Sequence, residues 1–240
     1  MIVVKTNSLY QHYSDFIRSL PENFSTSGTT IYKGRNEVKL FHVQGMDLIV
    51  KSFKIPHFVN RIVYGFFRSS KASRAFENEI KLKAAGFNTP ESVGYLECKK
   101  RGLLTQSFFV SLKSKFSHDF REVSDRFRCK ETNNILSGFA EFTAKLHDKN
   151  ILHKDYTPGN ILFEKKEEKY SFELIDTNRM FFGRVRLKKG IKNFDKLYLE
   201  DDMFRFLARK YASFRKLNPD ICEKLIIQYR KLRTIEVIKY

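Results

Sequence analysis

The segment His153-Lys154-Asp155-Tyr156-Thr157-Pro158-Gly159-Asn160-Ile161-Leu162 spaces a histidine, an aspartate and an asparagine as H-x-D-x-x-x-x-N. A second acid, Asp176, ends the apolar run Phe172-Glu173-Leu174-Ile175. Phosphoryl transfer from ATP needs this set. A carboxylate must orient the acceptor hydroxyl, and an asparagine and a second aspartate must hold the metals that bridge the phosphates. Pro158 and Gly159 shape a tight loop carrying Asp155 and Asn160. Asn160 to Phe163 then runs out, the polar stretch Glu164 to Lys169 turns, and Tyr170 to Ile175 returns. Such a hairpin brings Asp176 back beside Asn160. A lone H-x-D arises often by chance, and an aspartate after a strand is ordinarily a turn or a helix cap. The full ordered set with its apolar flanks is far rarer.

The elements upstream must supply a lysine for the phosphates. Asp47-Leu48-Ile49-Val50-Lys51-Ser52-Phe53 reads as a strand whose polar member, Lys51, stands where a strand lysine reaches the α- and β-phosphates. Before it, Thr29 to Lys33 and Val38 to Val43 flank Gly34-Arg35-Asn36-Glu37, a hairpin signal. The Gly34-Arg35-Asn36 turn is expected over the phosphates, although it lacks the G-x-G-x-x-G of protein kinases. A helix over Ser73 to Gly86 follows, rich in helix formers and closed by glycine. It carries Glu77 and Glu79, two apart and therefore on different faces. Glu77 is the favoured partner of Lys51, and Glu79 is the alternative.

Taken in order, Gly34-Arg35-Asn36, Val50-Lys51-Ser52-Phe53, Ser70-Lys71-Ala72-x-Arg74, Gly86-Phe87-Asn88-Thr89-Pro90, the Asp155 loop and Ile175-Asp176-x-Asn178-Arg179-Met180 resemble the lipopolysaccharide kinase (Kdo/WaaP) family. That family is similar in fold to RIO and eukaryotic protein kinases. The resemblance covers roughly residues 28 to 215. It implies an α+β, two-lobed, protein-kinase-like fold, with ATP and Mg2+ (or Mn2+) as cofactors. The implied reaction is phosphorylation of a sugar hydroxyl, of Kdo or heptose, in the lipopolysaccharide inner core. By motif position it makes Asp155 the catalytic base, Asn160 and Asp176 the metal ligands and Lys51 the phosphate lysine. The expected N-terminal lobe is 1–111, an antiparallel sheet plus helices, and the mainly helical C-terminal lobe is 112–240.

Three departures from protein kinases favour a small-molecule or glycolipid acceptor over a protein one. Lys154 stands where H-R-D has arginine, Asp176 is followed by Thr177-Asn178-Arg179 in place of Phe-Gly, and no A-P-E motif follows. The C-terminal lobe is therefore trimmed. Downstream, Arg179, Arg184, Arg186, Lys188 and Lys189 provide positive charge for an acidic acceptor.

Charge points the same way. With 45 Lys+Arg against 27 Asp+Glu, the net charge of +18 calls for a polyanionic partner: glycolipid, anionic membrane or nucleic acid. Cys98, Cys129 and Cys222 lack metal-ligand spacing and suit a reducing compartment. The first residues lack the apolar run of a secretory signal, and no stretch reaches bilayer-spanning length. The expected location is cytoplasmic, peripheral on the inner face of the cytoplasmic membrane. Lys54 to Lys71 sets Phe58, Val59, Ile62, Phe66 and Phe67 at helical spacing among basic residues, a pattern suited to a membrane interface or to core packing. His118 to Arg128 reads as a short charged helix, Thr132 to Lys149 as a long amphipathic one, and Leu197–Lys216 and Pro219–Lys231 as closing helices. Competing functions are a RIO-like protein kinase or ATPase acting on a ribonucleoprotein, an aminoglycoside- or choline-kinase-like enzyme, and a non-catalytic nucleotide-binding module. The joint presence of Lys51, Asp155, Asn160 and Asp176 weighs against the last.

Overall fold

The structure is a computed structural model that describes residues 1–54, 69–123 and 130–238. Most of the Lys54–Lys71 stripe, residues 55–68, lies outside the described residues, as does 124–129. The chain divides into two compact units, Met1–Lys115 and Phe116–Tyr240.

Six strands build the sheet of the first unit: β1 (Ile2–Thr6), β2 (Thr29–Lys33), β3 (Asn36–Val43), β4 (Met46–Phe53), β5 (Ser92–Lys100) and β6 (Leu103–Leu112). Their order is β1-β5-β6-β4-β3-β2, and every pairing is antiparallel. Gln44-Gly45 joins β3 to β4 and Arg101-Gly102 joins β5 to β6, with positive φ at both residues of each turn. That backbone matches the twist of the strands it joins; β3 and β4 pair without a break, whereas β5 and β6 shift register at Ser92/Gly94 and at Cys98/Lys99.

Alternation along each strand gives the sheet two covered faces. Leu48, Val50, Leu96, Phe108 and Val110 pack on one side under helix α1 (Ser14–Asn23), which inserts Ile17 and Leu20. Phe53, Tyr95 and Phe109 pack on the other under helix α2 (Lys71–Ala84), through Ala72, Ala75 and Phe76. Lys51 is in register with Phe109 on β6 and Val38 on β3, so it stands on the α2 face. The opposite face holds a different lysine. Lys39 is buried, and its amino group donates to the carbonyls of Phe24, Ser25 and Ser27 at 2.6, 3.2 and 3.1 Å. Three donors meet three carbonyls at and beyond the α1 C-terminus, which ties β3 to that helix end. Elements β1 and α1 precede every motif of the sequence.

In the second unit, helix α3 (Lys130–Asp148) leads through β8 (Ile151–His153) to the Asp155 loop, then β9 (Ile161–Lys166), β10 (Lys169–Leu174) and β11 (Met180–Phe182). Helices α4 (Leu187–Lys192), α5 (Asp201–Phe214) and α6 (Pro219–Ile238) close the chain. Phe139 of α3 is the centre of the core, with ring centroids of Phe120, Tyr156, Phe172 and Phe194 at 4.3 to 6.1 Å. Leu136, Thr143 and Leu146 are buried on the same helix, as its periodicity predicts. The expected helix from His118 is not seen at its start. His118–Asp119 is a short strand, β7, paired to β9, and Phe120–Val123 is a 3-10 turn. Edge pairing with β9 satisfies the backbone there in place of a helical ladder.

Candidate active site

Strand β8 delivers His153, and the next residues fold on themselves. Thr157 N–H donates to Asp155 O at 2.9 Å and Asn160 N–H to Thr157 O at 2.9 Å, closing a 3-10 turn over Pro158–Asn160. The Asn160 Nδ2 donates to Asp155 O at 2.8 Å, which fixes the amide and leaves Oδ1 to serve as a ligand atom. Strands β9 and β10 pair from Ile161↔Leu174 to Lys166↔Lys169, and Ile175 N–H donates to Asn160 O at 3.1 Å. The hairpin therefore does return the chain to Asn160. Asp176 follows with left-handed backbone, φ +55° and ψ +46°, a conformation aspartate tolerates better than most residues. Thr177 and Asn178 behind it are buried, and Asn178 Nδ2 donates to Asp176 Oδ1.

The donor and acceptor pattern fixes the state of His153. Its Nδ1 accepts the Asp155 N–H at 3.1 Å, so the proton is on Nε2, which donates to Ile175 O at 3.1 Å. The imidazole is fully buried, and burial lowers its pKa. It is a neutral strut between the Asp155 loop and the strand leading to Asp176.

Asp155 is half-buried and faces two cations. Lys196 Nζ lies 3.0 Å from Oδ1, and Arg179 Nη1 lies 3.6 Å from Oδ2. Burial pushes the Asp155 pKa upward, but the hydrogen bond and charge of Lys196, helped by Arg179, outweigh it and leave the carboxyl below its usual value. Lys196 Nζ also donates to Lys154 O at 3.2 Å.

A buried polar chain supports the loop from behind. Asn193 Nδ2 donates to His153 O at 2.9 Å, so its Oδ1 accepts His147 Nε2–H at 3.1 Å. His147 Nδ1 then accepts from the Tyr211 hydroxyl at 2.7 Å, and that hydroxyl accepts from Arg215 Nη1 at 2.6 Å. Arg215 is anchored by Asp148 at 2.7 Å and by Val185 O at 3.1 Å. Every direction in this chain follows from Arg215 being able only to donate.

In the first unit, Lys51 is half-buried beside the Phe53 ring, 5.5 Å from its centroid. The buried residues of α2 are Ala72, Ser73, Ala75, Phe76, Glu79 and Leu82. Glu79, not Glu77, continues the face turned to the sheet; it is 2% exposed and accepts from Ser92 Oγ at 2.7 Å. Glu77 is half-buried and accepts from Ser73 Oγ at 3.4 Å. Gly34 and Arg35 form the exposed end of the β2–β3 hairpin, and Asn36 Oδ1 accepts from Lys54 N–H at 3.3 Å.

Residues 28–216 match the model of the lipopolysaccharide kinase (Kdo/WaaP) family. The chain belongs to that family. It is accordingly a lipopolysaccharide kinase, an ATP-dependent phosphotransferase. No curated protein matches the sequence. Among solved structures, WaaP in complex with acyl carrier protein superimposes with TM-score 0.67 at 13% identity, covering 98% of each chain. The Rio2 kinase–ADP/Mg2+–phosphoaspartate complex from Chaetomium thermophilum gives TM-score 0.49 at 16% identity, over 92% of this chain and 67% of that one. The WaaP likeness, at 13% identity, speaks to the fold alone, a mixed α+β arrangement.

For this lipopolysaccharide kinase, the donor set at the loop suits a hard divalent cation. An amide oxygen and a carboxylate are oxygen ligands, and Mg2+ is ordinarily held by one or two carboxylates plus substrate phosphates. The described residues contain no group of three or more His, Cys, Asp or Glu that could hold a metal ion. The basic residues expected near the acceptor, Arg179, Arg184, Arg186, Lys188 and Lys189, are all exposed, and Arg179 reaches Asp155 at 3.6 Å. Lys196, Asn193 and His147 carry no motif signal. They come to the loop only because α3, α4 and the turn Asn193–Lys196 pack there.

Proposed function

We propose that the chain transfers the γ-phosphoryl group of ATP to a hydroxyl of Kdo or heptose in the inner core of lipopolysaccharide. Asp155 orients the hydroxyl and takes its proton as the oxygen bonds to the γ-phosphorus and the bond to the ADP oxygen breaks. The Asn160 Oδ1 and the Asp176 carboxylate hold Mg2+ or Mn2+. That ion, when bound, neutralises charge on the phosphates. Lys51 binds the α- and β-phosphates, and Glu79 is the acid that orients it, since it lies on the sheet-facing stripe of α2. Gly34, Arg35 and Asn36 cover the phosphates. The enzyme works as a peripheral protein on the inner face of the cytoplasmic membrane, where its net charge of +18 favours an anionic surface. The observation that carries this reading is the hydrogen-bonded loop joining Asp155, Asn160 and the strand end before Asp176.

Asp155→Asn tests it with purified lipopolysaccharide and labelled ATP. Transfer should fall by several orders of magnitude, while nucleotide affinity changes less than about threefold, because Asp155 faces the acceptor. Asp176→Asn should instead weaken metal-dependent nucleotide binding. Near-normal turnover by the Asp155 variant would remove it from catalysis.

A further inference from the structure

Beside the catalytic loop lies a cavity of about 220 Å³ walled by Lys154, Lys189, Lys192 and Lys196, with Asp195 the one acid among its lining residues. The lysines come from three separate places. Lys154 follows β8, Lys189 and Lys192 sit on α4, and Lys196 ends the turn after α4. Lys189 lies over the Phe181 ring at 2.9 Å from its centroid, and Lys154 approaches the same ring at 5.7 Å. Two ammonium groups thus lie near one aromatic ring. Lys189 is exposed, and slight desolvation together with the charge of Lys154 lowers its pKa. Lys196 belongs to both neighbourhoods, since its Nζ also holds Asp155 at 3.0 Å.

We infer that this cavity binds an oxyanion substituent of the acceptor sugar, a carboxylate or a phosphate monoester, and so sets which hydroxyl reaches Asp155. The inference rests on the reading of Asp155 as the base. Ammonium groups are compact point charges suited to a phosphate or a carboxylate. An anion there would relieve the Lys154–Lys189 repulsion and hold the sugar beside Lys196, whose Nζ lies 3.0 Å from Asp155 Oδ1. It would also give Lys196 a second anion to hold, leaving Asp155 freer to meet the hydroxyl. The lysine of His153-Lys154-Asp155 gains a role on this view: it turns charge toward the acceptor.

The test is steady-state kinetics of Lys189→Gln/Lys192→Gln with purified lipopolysaccharide. The acceptor KM should rise roughly tenfold or more for each ammonium removed, the weight of one charge-assisted hydrogen bond, while the KM for ATP stays within about twofold. Inorganic phosphate and acetate serve as competitors. Phosphate alone competing with the acceptor identifies a phosphate substituent; acetate competing as well identifies a carboxylate. Calorimetric binding of inorganic phosphate to the resting protein, lost in the double variant, reads the site without turnover. Unchanged acceptor KM in a variant with wild-type melting temperature, or an equal rise for both substrates, overturns the inference. So does phosphate binding that survives the double substitution. If Asp155→Asn is inactive while the lysine variant is normal, this inference alone falls. If Asp155→Asn stays active, the reading beneath it falls.

Discussion

At Asp155 two opposing effects meet on one carboxylate. Partial burial disfavours the charged form, and Lys196 with Arg179 favours it; the cations win and the pKa lies below normal. A base held this way is deprotonated at every physiological pH, at some cost in proton affinity. Removing Lys196 leaves burial opposed only by Arg179 and the weaker neighbours. In Lys196→Met the acidic limb of the kcat/KM profile should therefore move to higher pH, and Lys196→Arg should return most of it. A limb that stays in place would show that Lys196 does not act on the base. The sequence exposes Asp155, Asn160 and Asp176 because a loop and a hairpin, both local, bring them together. It does not expose Lys196, whose contact with Asp155 spans 41 residues and depends on how α4 packs. The choice between Glu77 and Glu79 is similar. Both lie on the helix, and only the packing of Ala72, Ala75 and Phe76 on the sheet decides which acid faces inward.

Helices α3 and α5 and the turn Asn193–Lys196 act on the loop through the buried chain from Arg215 to His153 O. Its geometry leaves no room for side chains at Gly190, where a Cβ would overlap the Tyr211 hydroxyl. Asn193→Ala strands the His147 Nε2–H and the His153 carbonyl in the interior. Each buried unsatisfied group costs about 1–3 kcal/mol, so melting should drop by several degrees. Because the loop is also loosened, kcat should fall more than the KM for ATP rises; equal changes in both would argue that the chain only stabilises the fold. His147 adds a pH signature. Burial lowers its pKa from 6.5 to about 3. Between those values the unfolded chain takes up a proton that the folded one refuses, so stability falls as pH falls through that window. The slope is at most about 1.4 kcal/mol per pH unit from this group. Urea midpoints from pH 7 to 4.5 should fall less steeply in His147→Gln than in the wild type. Helix existence here was legible from the apolar spacing of α3, but its periodicity is silent about a buried histidine, which reads as one more polar position near the end.

Over the whole molecule, charge is the property that composition states without any fold. Lysine and arginine exceed acids by 18, and the described structure pairs many of the acids it has: Glu223 with Arg205 and Arg209, Asp148 with Arg215, Glu131 with Lys165. The surplus is thus a surplus of cations facing solvent or an anionic partner. No helix among the described residues is long and apolar enough to cross a membrane. The proposed attachment to a bilayer draws on surface charge and on apolar side chains such as those of the sequence stripe containing Phe66 and Phe67. Each basic group near an anionic surface contributes on the order of 1 kcal/mol, and that share is screened within a Debye length of roughly 8–10 Å near physiological salt. Co-sedimentation with vesicles separates the two contributions. Binding should require anionic lipid and weaken steeply between low and high salt. Phe66→Ser/Phe67→Ser should reduce the salt-resistant remainder while the melting temperature holds. Retention on neutral vesicles, or binding indifferent to salt, would mean that charge does not bring the enzyme to its glycolipid. In that case, the lysine-walled cavity would be left as the place where the excess charge meets the acceptor.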